Sequence, residues 1–133
     1  MKTKYILIGL MMLSSLLSYA QNTFECEGLI SSSMKLYEEK AFSKALTTFK
    51  KVISNKCTLT NSDYYNGACI ASLAKNKILA LSYLQTSINK GFDNEAHMAK
   101  DTDLDFIRKS AEYKNLIGTF AKKKDAIKMN LQK

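Results

Sequence analysis

Residues 64–94 read YYNGACIASLAKNKILALSYLQTSINKGFDN, and the way this stretch divides decides the fold. Its second half, ILALSYLQTSI, sets Ala80, Leu81, Leu84 and Ile88 at the spacing of one helical face. Gly91 follows Lys90 at the place where a left-handed residue stops a helix. The first half carries small residues, Ala68 among them, on what reads as a preceding helix. Two helices are therefore expected, at about residues 62–74 and 77–90.

Working backwards, FSKALTTFKKVI repeats the idea. Phe42, Ala45, Leu46, Phe49, Val52 and Ile53 follow the i, i+3, i+4, i+7 rule. The chain contains no proline and its β-branched residues are scattered, so an all-α fold is expected. The two runs overlay with an offset of 35 residues: Ala45 on Ala80, Phe49 on Leu84, Ser33 on Ala68, and Leu29 on Tyr64. Small residues at matched places let helices approach closely, and the large residue four positions on fills the gap between pairs.

A period near this length with a small–small–large pattern resembles the tetratricopeptide repeat. The resemblance covers about residues 27–92, as helix pairs 27–39 with 42–55 and 62–74 with 77–90. The continuation HMAKDTDLDFIRKSAEYKNLIGTF, residues 97–120, is similar to the acidic, leucine-containing closing segment of many bacterial members. Two features depart from the pattern: Ser32 stands where leucine is usual, and neither repeat ends in proline. The resemblance implies a short α-solenoid of antiparallel helix pairs, two repeats plus a C-terminal capping helical segment, over residues 21–121. Residues 122–133, AKKKDAIKMNLQK less its first alanine, are expected to be a frayed or disordered basic tail.

Antiparallel helices place the start of one beside the end of the next. Cys26 precedes the first helix and Cys57 follows the second, so a Cys26–Cys57 disulfide is expected, stabilising by about 3–4 kcal/mol in the chain-entropy model. Cys69 falls mid-helix beside Ala68 and reads as a buried small hydrophobe. Zinc is not expected: the cysteines are spaced by 31 and 12, and His97 is the sole histidine.

The chain opens MKTKYILIGLMMLSSLLSYAQ. Lys2 and Lys4 precede an apolar run from Tyr5 to Leu17, and Ser18 and Ala20 stand where a signal peptidase reads small residues. A cleaved signal peptide over residues 1–20 is expected, because a membrane anchor needs about 20 apolar residues. The protein should be exported, periplasmic or secreted, with no integral membrane insertion after cleavage. That compartment permits the disulfide.

The stretch DTDLDFIRKSAE, residues 101–112, imitates a calcium loop, with alternating Asp101, Asp103 and Asp105 and a glutamate, Glu112, at its twelfth position. Phe106 occupies the sixth position, where the loop needs glycine, and Arg108 places a cation at the eighth. A helix entrance explains more residues, with Thr102 and Asp105 as a capping-box-like pair. No metal and no cofactor are expected.

No catalytic constellation appears either. A hydrolase would need a base beside its nucleophile, and the five glycines form no phosphate loop. The formal charge of +8 raises nucleic acid or an anionic surface as partners. Lys50, Lys51 and Lys122–Lys124 lack the interleaved aromatics that single-strand stacking uses, so nucleic acid is not expected.

What remains is implied by the resemblance: a non-enzymatic interaction module whose first helices line a groove for a partner peptide or helix. Carried onto this chain, the groove positions are Ile30, Met34 and Tyr37 in the first repeat and Tyr65, Cys69 and Ser72 in the second. Met34 and Tyr37 have a second reading, as packing against the next repeat. Ile30 and Met34 also make the groove too apolar for the carboxylate clamp of one well-known subclass. Alternatives are an envelope-surface or small-ligand binder using the basic tail, and an accessory subunit of an enzyme encoded elsewhere. The exposed ends of so short a stack also offer surfaces for a homodimer.

Overall fold

The computed structural model describes residues 21–131; the expected signal segment lies outside the described residues. Every regular element among them is helical. None of these helices is long and apolar enough to cross a membrane. The chain divides into two compact units between Thr58 and Leu59.

The first unit is a helix hairpin. The described part of helix α1 covers residues 21–38, so Cys26 lies within it and not ahead of it as expected, and α2 runs Phe42–Ser54. The turn is made by Lys40, whose φ of 58° is left-handed, with its N–H donating to the Tyr37 carbonyl at 2.9 Å. Inside the pair, the buried Ser33 hydroxyl donates to the Ala45 carbonyl at 3.0 Å. A side chain this small is what lets the helices come so near. At the open end Cys26 and Cys57 form the expected disulfide, with Cα atoms 5.6 Å apart. Asn55 adds a 2.9 Å bond to Glu25 beside it.

The second unit opens with another hairpin, α3 (Asn61–Leu73) and α4 (Lys77–Asn89). A capping box starts α3: the Thr60 hydroxyl accepts from the Asp63 N–H, and the Asp63 carboxylate accepts from the Thr60 N–H. Asn76 caps α4 by accepting from the Leu79 N–H. The Ser87 hydroxyl donates to the Asn61 carbonyl at 2.7 Å, tying the end of α4 to the start of α3.

The 35-residue offset holds to the residue. Helix α2 begins at Phe42 and α4 at Lys77; they end at Ser54 and Asn89. The left-handed turn residues obey it too, Lys40 pairing with Lys75 and Lys56 with Gly91. Ser33 and Ala68, Ala45 and Ala80, Phe49 and Leu84 are all buried. An all-α, repeat-like fold follows directly from this register.

Beyond the second hairpin come α5 (Glu95–Lys100), a 3₁₀ turn at Thr102–Leu104, α6 (Asp105–Arg108) and α7 (Ala111–Leu131). Two expectations change here. The helical entrance is capped by Asp101, which accepts from the Asp103 N–H at 3.0 Å, and not by Thr102. The segment after residue 121, expected to be a frayed tail, instead continues α7 through Leu131. Its Ala, Lys and Ile residues are compatible with helix and nothing in it breaks one.

Candidate functional site

The groove positions of the second repeat are filled by the chain itself. Tyr65, Cys69 and Ser72 lie on one face of α3, as i, i+4, i+7 spacing requires, but they retain only 4%, 5% and 0% of their exposure. The segment from Phe92 to Leu104 lies on Tyr65 and Cys69, whereas the Ser72 hydroxyl is buried without a hydrogen-bond partner. The Phe92 ring stacks on Tyr65 with centroids 4.3 Å apart and planes 6° from parallel. His97 adds a tilted ring at 5.4 Å. The Tyr65 hydroxyl donates to Asp101 Oδ2 at 2.7 Å, and the Cys69 thiol reaches the same oxygen at 3.6 Å. Leu104 is fully buried, on the 3₁₀ turn that packs against α3.

Arg108 fastens this covering segment. Its guanidinium donates to the carbonyls of Met98 at 2.9 Å and Ala99 at 2.7 Å, and also to that of Asp101. A planar fork with five donors suits the task of gathering exposed carbonyls at a helix end. Asp105 orients it through a 3.0 Å bond to Nε. The role of Arg108 was not anticipated from the sequence; its single trace there is the Asp105–Arg108 spacing of three.

The chemistry of the cluster is that of a held contact. Burial pushes the Cys69 thiol well above its ordinary range, and the charge of Asp101 pushes it further. Burial, then the bond to Asp101, does the same to the Tyr65 hydroxyl. A nucleophilic thiolate requires the opposite shift. Ligand atoms of Cys69, Asp101 and Asp103 do lie within 4.8 Å of one another. Asp101, however, already accepts from Tyr65, Cys69 and the Asp103 N–H. The other carboxylates of the calcium-like stretch point to separate duties: Asp105 pairs with Arg108 at 3.0 Å and Glu112 with Lys77 at 2.7 Å.

In the first unit Ile30, Met34 and Tyr37 are half-buried, with the Tyr37 ring 6.1 Å from that of Phe42. They share a face of α1 by the same spacing. The structure thus separates the six expected groove residues into a covered trio and a half-exposed one.

A second feature was not read from the sequence. A recess of about 350 Å³ opens between the last turn of α4 and the middle of α7. Ile88, Phe92, Leu116 and Phe120 give it apolar walls, and Lys123 and Lys124 stand on its α7 side. Burial along α7 falls from Tyr113, which is buried, through half-buried Leu116 and Phe120 to exposed Ile127. The recess lies where α7 leaves the body. Its sequence signal is the apolar spacing Leu116, Phe120, Ile127, which runs into the presumed tail.

Comparison of the chain with models of known families, with curated proteins and with solved structures finds no match.

Proposed function

We propose that this protein is an exported, non-enzymatic interaction module of tetratricopeptide type, which binds a partner peptide or helix on the α1 face bearing Ile30, Met34 and Tyr37. The observation that carries this reading is the covered face of α3. There the chain holds a segment of its own, Phe92 to Leu104, by an aromatic stack and one carboxylate. The matching face of α1 has the same spacing and chemistry suited to a partner: methionine adapts its shape, and tyrosine joins an apolar body to a polar tip. Tyr65 and Cys69 are assigned to holding the internal segment.

Export is supported by the signal-like opening and agrees with the Cys26–Cys57 disulfide, since such bridges persist in oxidising compartments.

Crosslinked affinity capture from the native envelope tests the reading. One partner should be recovered near stoichiometrically with the unaltered protein and lost with Met34→Lys. Equal recovery with Met34→Lys, or no partner at all, would refute it.

A further inference from the structure

We propose that the recess between α4 and α7 is a binding site for a single-chain anionic amphiphile, an aliphatic tail ending in a carboxylate or related acid. The site is separate from the α1 face and does not depend on the function proposed for it.

Its walls select the tail. Ile88 on α4, Phe92 in the following loop, and Leu116, Phe120 and Ile127 on α7 line it. A volume of about 350 Å³ sits at the lower end of the range that small-molecule sites occupy, roughly 300–1,000 Å³. Leu116 and Phe120 are half-buried and line the recess together with Ile88 of α4. That geometry admits one inserted chain; a bilayer face would demand an outward-facing apolar stripe.

The charge at the opening selects the head. Lys123 and Lys124 line the site against one carboxylate, Asp93. Lys124 is held in place: its ammonium donates to the Asp93 carbonyl at 3.1 Å and lies 5.9 Å from the Phe120 ring centroid. This bond engages one of its three donors. The ammonium therefore stands at the apolar edge, where a tail ends and an acidic head would begin. A cationic head of equal length would meet repulsion at the same place.

The full mature chain, titrated calorimetrically with dodecanoate below its micelle threshold, tests the site. Saturable binding with one site per chain is expected. Dodecyltrimethylammonium, with the same tail and opposite charge, should bind about tenfold more weakly. Lys124→Glu should weaken dodecanoate about tenfold while leaving the cationic amphiphile no weaker. Ile127→Asp, a change at an exposed position that leaves the buried core untouched, should also weaken dodecanoate, with unchanged helical circular dichroism. Equal affinity for the two head charges, affinity unaltered in both variants, or binding to anionic vesicles without binding to dispersed dodecanoate would each overturn the assignment.

Discussion

The hydroxyl of Tyr65 on α3 donates to the carboxylate of Asp101, 36 residues further along the chain, at 2.7 Å. The same carboxylate caps the 3₁₀ turn through the Asp103 N–H, so one side chain both ends the loop and fastens it to the helix. Tyr65→Phe would leave an acceptor short of a donor in a site with 14% side-chain exposure. A loss of about 1–2 kcal/mol is expected from the urea midpoint. Asp101→Ala should lose more, and the double variant should fall short of the sum, because both substitutions break one contact.

This contact also fixes a response to alkali. Burial raises the folded-state values of Tyr65 and Cys69, as it does for Tyr83 and Tyr113. A group raised in the folded state favours folding while both states hold the proton, and that contribution disappears as pH climbs above its unfolded value. Stability should therefore be flat in neutral solution and decline from about pH 9 upward, where thiols and then phenols of the unfolded chain ionise. Tyr65→Phe should flatten part of that decline in a series of urea midpoints.

The Cys26–Cys57 bridge closes a span of 31 residues. Replacing both cysteines by serine should lower stability by about 3–4 kcal/mol in the chain-entropy model. Alkylation of the unfolded, unreduced protein should label Cys69 alone. In the native protein Cys69, buried and protonated, should resist labelling.

Three lysines hold the left-handed places of helix ends, and Gly91 holds the fourth. A Cβ is disfavoured in that conformation. Lys75→Gly should raise stability by about 0.5–1 kcal/mol, whereas Gly91→Ala should lower it by a similar amount. Thermal unfolding of the two variants measures both signs.

The capping box of α3 gives an independent check on that helix. Thr60→Ala removes the acceptor for the Asp63 N–H and should destabilise by about 1–2 kcal/mol.

Much of the architecture was legible because it is written locally and twice. Ser33 and Ala68, or Phe49 and Leu84, recur at the repeat offset, and all four are buried. The disulfide followed from that geometry. The occupant of the α3 face was not legible. Periodicity identifies Tyr65, Cys69 and Ser72 as one face, but what lies on it is a segment from Phe92 onward that carries no matching repeat. Asp101 was misread for a related reason. Local pattern favours Thr102 as the cap, whereas the capping carboxylate is that of Asp101, which also accepts from the distant Tyr65 hydroxyl. In α7 the apolar positions Leu116, Phe120 and Ile127 are diluted by Lys122, Lys123 and Lys124, which made a helix look like a tail.

The central claim is that one helical face is satisfied internally while its counterpart on α1 serves a partner. Site-specific photocrosslinking in native cells tests it most directly, with the reactive side chain placed at position 30 or 34 and, as a control, at the exposed Lys50. The account predicts one discrete protein adduct from positions 30 and 34 and none from position 50. Adducts absent from the α1 positions, or equally abundant from all three, would contradict it.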